Sequence, residues 1–198
     1  YYFFKFIFSN DYPFVPPIVK FISNSNVRFH PNLYVNGKIC LSVLNTWKGE
    51  GWTSCQSIYS ILLILSSILT NNSLTYEPGI NISHPDVEKY NMLIKCKNIE
   101  HSIFHNIDLI NKNNSTDIND NNNKNDNYII LYFKQEIIDA FKKDKINIYN
   151  KILSLQTEIN NSSFINKNII NINVYNLKYN INIDTLFKIF YKIENKYK

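Results

Sequence analysis

The sequence predicts an α+β fold, with an antiparallel sheet first and helices after it. Three observations carry this expectation. Residues 1–8 and Ile18–Ile22 are aromatic and β-branched runs joined by turn residues, so they read as two adjacent strands. Residues 56–71 place Ile58, Ile61, Leu62, Leu65, Ile68 and Leu69 at helical spacing. Residues 184–197 place Leu186, Phe187, Phe190 and Ile193 on one face of a final amphipathic helix, with Asp184 expected as its cap.

In chain order, Lys5 suits an outward slot on the first strand and Lys20 one on the second. Between them Ser9-Asn10-Asp11 is turn chemistry, and Pro13, Pro16 and Pro17 hold the backbone extended. His30-Pro31-Asn32 falls in a loop, and Asn36-Gly37 signals a tight turn. A short extended segment, 38–44, contains Cys40. The loop 45–52 carries Trp47 and Trp52, both expected to pin it to the core. Ser54 or Ser57 caps the first helix. A second helix starts near Ser83 or His84, with Pro85 in its first turn, and runs through Val87, Tyr90, Leu93, Ile94 and Lys97 to about Phe104.

Residues 106–127 are Asn-rich and of low complexity, and read as a disordered insertion. Residues 128–155 look helical, with Leu131, Ile137, Ile138 and Phe141 as core candidates. Residues 160–182 repeat Asn and Ile and give no assignment. Three segments result: 1–105, 106–127, and a helical extension at 128–198.

The 198 residues are 44 % hydrophobic, enough for a real core, and the net charge of +5 comes from lysines spread thinly along the chain. No basic run marks a nucleic-acid or membrane surface, so neither partner is expected. The apolar stretch 58–69 is too short and too polar to span a bilayer. The opening YYFFKFIF has no basic leader or small-residue cleavage site and is not read as a signal peptide. The chain opens on Tyr rather than Met, and a fragment is expected. Three cysteines, Cys40, Cys55 and Cys96, argue against a disulfide scaffold and for a reducing compartment. No cysteine pair has metal-ligand spacing and the four His are scattered, so no metal is expected.

Cys40 is the residue with chemistry to offer. The Gly37 turn sets it at a loop edge, the apolar run after it is stiff, and Asn32 lies eight residues upstream across a turn. His30 is the obvious base for a thiol hydrolase, but it precedes Pro31 in an aromatic neighbourhood and no third group is evident to orient it. An amide such as Asn32 takes no proton yet donates to a developing oxyanion. A cysteine with such a donor and no base suits carrying an acyl group as a thioester.

These residues resemble a known family. YPFVPPIVKF, then HPN, NGKICL, a Trp-containing loop and an apolar helix are similar, in order and spacing, to the core of ubiquitin-conjugating enzymes over residues 1 to about 104. The longer loop LNTWKGEGWTSCQSI and the later EPG resemble the Z-type branch. The resemblance implies that family's antiparallel sheet packed with helices. It also implies that Cys40 accepts the carboxyl end of ubiquitin or a ubiquitin-like modifier from an activating enzyme. The acyl group then passes to a substrate lysine or a ligase, Asn32 stabilises the oxyanion or the loop, and His30 and Pro31 are structural. Phe14 matches a loop residue that contacts ligases and the activating enzyme. The implied partners are modifier, activating enzyme, ubiquitin ligases and protein substrates. No cofactor is implied, since ATP is used upstream. A cytoplasmic and also nuclear location follows.

The sequence departs from the family in three places. The family's first helix and first strand are missing before Tyr1. The second partner loop reads Thr53-Ser54-Cys55 rather than Ser-Pro-Ala. The acid that orients the attacking lysine falls near Thr75 or Tyr76. Glu77 is close enough to substitute, although a Glu beside Pro-Gly is commonly a turn residue, and that reading is preferred. Cys55 and Cys96 are expected to be buried or incidental. The rivals are an inactive ubiquitin-binding scaffold of the same fold and a Cys40/His30 thiol hydrolase.

Overall fold

In the computed structural model, which describes residues 1–23, 25–112, 128–165 and 168–198, the first paired elements are the two expected strands. β1 (Phe3–Ile7) and β2 (Ile18–Ile22) run antiparallel, with Phe3 opposite Ile22, Lys5 opposite Lys20 and Ile7 opposite Ile18. Alternation puts Val19 and Phe21 on the buried face while Lys20 stays exposed. Phe21 packs edge-on against Tyr2 and Phe29, at ring separations of 5.8 and 6.1 Å. The chain divides into two compact units, residues 2–91 and residues 92–198 with Tyr1, and the boundary falls inside one helix.

Within 2–91, the Asn36-Gly37 turn lies on β2. The Phe21 N–H donates to the Gly37 carbonyl at 2.9 Å, and Gly37 has φ +85°. A Cβ there would meet the Phe21 carbonyl oxygen at 3.0 Å, so both backbone conformation and space call for glycine. The expected extended segment 38–44 is shorter than read. Lys38 and Ile39 form isolated bridges to Lys20 and Leu33, and Ser42–Leu44 turns into a short 3-10 helix.

α1 (Ile58–Ile68) is also shorter than the apolar pattern. Ser57 fixes its start by a capping box with Ser60, and the backbone leaves the helix at Leu69. Its buried stripe is Ile61, Leu65 and Ile68, while Ile58 and Leu62 are exposed, so the broad face read from the sequence is only half used. Asn72, at φ 61°, then turns the chain into a 3-10 stretch, Ser73–Tyr76. α2 (Pro85–Ile99) begins where expected, with Val87 and Tyr90 buried.

Within 92–198, two expectations are corrected. The helix does not end near Phe104. It passes through a π-helical turn, Glu100–His105, into α3 (Asn106–Lys112). Ile107 and Ile110 are fully buried there, and the Asn106 side-chain amide donates to the Ser102 carbonyl at 3.0 Å. Apolar side chains at helical spacing therefore override the Asn bias for these residues. The rest of the expected insertion, 113–127, lies outside the described residues.

The extension is not wholly helical. After α4 (Tyr128–Tyr132) and α5 (Lys134–Asn160) comes a hairpin of β3 (Ile169–Ile172) and β4 (Leu177–Asn180), before α6 (Ile183–Lys196). Asn176, at φ 48°, closes the hairpin turn, a conformation that Asn tolerates better than most residues. Asn182 caps α6, its Oδ1 accepting from the Thr185 N–H at 2.9 Å, while Asp184 sits in the first turn. Of the core candidates, Ile137, Ile138 and Phe141 are buried, and Ile130 is buried in place of its neighbour Leu131. A partly buried polar clasp joins the hairpin to the end of α2 and the π-helical turn after it: the Lys97 Nζ and the Tyr179 hydroxyl both donate to Glu100, at 2.9 and 2.6 Å. Among the described residues no helix is long and apolar enough to cross a membrane.

Two isoleucines of α5 test this packing. Ile152 is fully buried and Ile146 is 70 % exposed. Ile152→Ala is expected to cost about 2–5 kcal/mol and Ile146→Ala under about 0.5 kcal/mol in a denaturant titration.

Candidate functional site

The site is built from a three-residue turn. Pro31 has no N–H to donate, so the turn closes on its neighbours: the Asn32 N–H donates to His30 Nδ1 at 3.0 Å, and the Leu33 N–H to the His30 carbonyl at 2.9 Å. The His30 side chain is fully buried, edge-on to the Tyr76 ring at 4.7 Å. Its Nε2 faces the Ile68 carbonyl without a well-formed hydrogen bond. Burial first, and the Arg28 cation second, pull the His30 pKa down to about 4, so the imidazole is neutral near pH 7. The Arg28 guanidinium donates to the Pro31 carbonyl and lies 3.9 Å from the centre of the Tyr34 ring.

Cys40 is bonded to Asn32 in both directions. The Cys40 N–H donates to the Asn32 carbonyl at 2.9 Å, and the Asn32 Nδ2 donates to the Cys40 carbonyl at 2.6 Å. The second Asn32 amide hydrogen has no protein acceptor among the described residues. Ile39 and Leu41 on either side are buried. Thr46 clamps this run: its hydroxyl accepts from the Leu41 N–H at 2.9 Å and approaches the Ile39 carbonyl at 2.7 Å.

Cys40 is only 3 % exposed, yet it lines a cavity of about 250 Å³. Asn32, Tyr34, Trp47, Tyr76, Glu77 and Arg28 share that lining, and His30 does not. No hydrogen bond joins His30 to Cys40. Glu77 opens a tight turn in which the Ile80 N–H donates to the Glu77 carbonyl at 3.1 Å, and Gly79 supplies the φ of +83°. Its carboxylate meanwhile lies 3.9 Å from the Arg28 guanidinium on the cavity wall. Glu77 is therefore both a turn residue by its backbone and a site residue by its side chain.

The remaining candidates lie elsewhere on the same unit. Phe14 is 82 % exposed, and Thr53, Ser54 and Cys55 are exposed as well. The Trp52 Nε1–H donates to the Pro13 carbonyl at 2.7 Å, which tethers the turn carrying Phe14 to the loop carrying 53–55. Cys96 is buried and does not line the cavity. Burial, with Glu100 next, pushes its thiol up to about 12. Among the described residues no cluster of His, Cys, Asp and Glu is arranged to hold a metal ion.

Among the cavity residues that sequence reading missed are Arg28, Tyr34 and Trp47. Arg28 and Tyr34 each stand two positions outside His30 and Asn32, a spacing that was the available signal. Trp47 was expected to pin its loop to the core. Trp52 does so, but Trp47 is 51 % exposed and faces the cavity instead.

A family model for ubiquitin-conjugating enzymes matches residues 1–98. Among curated proteins, the chain is 46 % identical over 103 residues to ubiquitin-conjugating enzyme E2 Z of Homo sapiens, covering 49 % of this chain and 29 % of the human one. It is 46 % identical over 99 residues to the Danio rerio E2 Z, covering 47 % and 30 %. It is 42 % identical over 83 residues to the dual E2 ubiquitin-conjugating enzyme/E3 ubiquitin-protein ligase BIRC6 of Homo sapiens, covering 38 % and 2 %. The match thus spans under a third of each of these relatives.

The buried imidazole has a measurable consequence. With a folded pKa near 4 and an unfolded one near 6.5, only the unfolded chain takes up a proton between these values, so His30 lowers stability as pH falls through that window. The expected slope is at most about 1.4 kcal/mol per pH unit. Urea titrations at pH 7, 5.5 and 4.5 are expected to show this loss in the wild type and a shallower one in His30→Gln.

Proposed function

Because the chain belongs, through residues 1–98, to the ubiquitin-conjugating enzyme family on its Z-type branch, we propose that Cys40 carries ubiquitin or a ubiquitin-like modifier as a thioester. The observation that carries the reading is the pairing of Cys40 and Asn32 at a cavity from which His30 is absent. The Cys40 sulfur attacks the thioester carbonyl on an activating-enzyme cysteine. A new C–S bond forms and the activating enzyme's thiol leaves. A substrate lysine amine, or a ligase cysteine, then attacks the Cys40 thioester; the amine route makes an isopeptide bond and releases the Cys40 thiol.

Each site residue has a role in that scheme. The free Asn32 amide hydrogen is available to the oxyanion, while the other holds the Cys40 loop. Among the described residues Glu77 is the one carboxylate lining the cavity, and it is suited to orient the ammonium and accept its proton. Phe14 and Thr53, Ser54 and Cys55 form the contact surface for activating enzyme and ligase. No cofactor acts at this site, and ATP is consumed upstream.

The arrangement favours an acyl carrier over a thiol hydrolase. A hydrolase needs the imidazole on the sulfur, whereas His30 is buried, spends its Nδ1 on the turn and is held neutral. The test is a charging assay with activating enzyme, ATP and ubiquitin, or a panel of relatives, read on a non-reducing gel. A modifier-sized shift that reductant abolishes is expected, and Cys40→Ser is expected to give a shift that survives reductant. No shift with any modifier, from a folded protein, would contradict the reading. Glu77→Gln is expected to charge normally and to discharge to lysine about tenfold more slowly, within the range for losing one acid–base or orienting group.

A further inference from the structure

We propose that Trp47 binds the acceptor, its indole forming the wall against which the stem of the incoming lysine lies as its amine approaches Cys40. This rests on the acyl-carrier reading above and adds the residue that selects the acceptor.

The argument begins with a contrast between two tryptophans in one loop. Trp52 is half-buried, hydrogen-bonded through Nε1 to Pro13, and in ring contact with Tyr12 at 6.1 Å. Trp47 has no hydrogen bond and no ring contact among the described residues, and half of its surface is exposed. It does not hold the loop together. The loop is held by other groups: the Thr46 hydroxyl on Ile39 and Leu41, the Thr46 N–H on the Leu41 carbonyl at 3.2 Å, and the Asn45 Oδ1 accepting from the Trp52 N–H at 2.9 Å. Those bonds fix the residue just before Trp47 to the backbone on both sides of Cys40. An exposed indole is thereby held on the cavity that Cys40 also lines, at a cost in apolar exposure.

The rings around the cavity narrow what Trp47 receives. Tyr34 already has the Arg28 cation on its face, and Tyr76 packs on His30. Of the aromatic side chains that line the cavity, Trp47 alone has an unclaimed ring. Glu77 lines the same cavity. An apolar ring and a carboxylate lining one cavity fit a long methylene stem that ends in an amine, and Trp is the strongest cation–π partner of the aromatic residues. The donor modifier is held at Cys40 by a covalent bond. The acceptor amine has only non-covalent contacts to bring it to a near-attack position, so a wall acts chiefly on the acceptor.

The experiment uses the full chain charged at Cys40 and chased in single turnover with Nα-acetyl-lysine amide or with hydroxylamine. Trp47→Ala is expected to raise the half-saturating lysine concentration about tenfold, with the limiting rate nearly unchanged, as losing a cation–π and stem contact would do. Hydroxylamine, which has no stem, should discharge both proteins equally, and Trp47→Phe should recover most of the lysine effect. An unchanged lysine dependence in Trp47→Ala would overturn the proposal. So would an equal loss with hydroxylamine, which would assign the ring to the donor.

A second measurement needs no charging. In the uncharged wild type, the Trp47 indole N–H resonance is expected to shift with Nα-acetyl-lysine amide and to shift less with its norleucine counterpart. If the chain fails to charge but this selective shift is present, the carrier reading fails and the lysine wall stands. If the resonance does not move, the wall fails.

Discussion

The site depends on the two-way backbone and amide pairing of Asn32 with Cys40. Each partner would be unremarked alone: an Asn in a loop and a buried thiol. Joined, they fix the cysteine's carbonyl and amide against a rigid turn while the sulfur stays on a cavity wall. The turn itself rests on His30, whose buried imidazole accepts the Asn32 N–H. Charging that imidazole would remove the acceptor. Burial that holds it neutral therefore protects the Asn32 position across the ordinary pH range. The His30-Pro31-Asn32 sequence works as a construction element for the loop that holds Cys40.

Much of unit 2–91 was legible because its signals were local and strong. The strand pair, the Asn36-Gly37 turn, the Ser57 cap and the start at Pro85 follow from turn chemistry, capping and alternation, which leave few alternatives. Widths and ends were less legible. The apolar face of α1 reads broad, yet Ile58 and Leu62 remain exposed, because spacing reveals which residues share a face but not how much of that face is covered. The site followed the same division. Cys40 and Asn32 have residue chemistry that points to a role, whereas Glu77 beside Pro78-Gly79 reads first as a turn residue. Trp47 was misread because an aromatic side chain in a loop is usually packed, and only the bonds of Thr46 and Asn45 show that this one is held outward.

Residues 92–198 were harder to read because Asn and Ile dominate them. Asn is at once a breaker, a cap and a left-handed turn residue. Asn106 sits buried inside a helix, Asn176 closes a hairpin, and Asn182 caps α6. Composition alone does not separate these uses. The hairpin's link to Lys97 through Glu100 and Tyr179 joins residues far apart in sequence, beyond the reach of any local pattern. The charged groups there are paired, so burial does not leave them uncompensated.

The most direct test of the Cys40–Asn32 account separates loading from transfer. Wild type and Asn32→Ala would each be charged with modifier, freed of activating enzyme and ATP, and followed by intact mass as lysine is added. The account predicts that Asn32→Ala still acquires the modifier on Cys40 but loses it to lysine about a hundredfold more slowly, the scale of removing one oxyanion donor. Transfer at the wild-type rate from charged Asn32→Ala would contradict it.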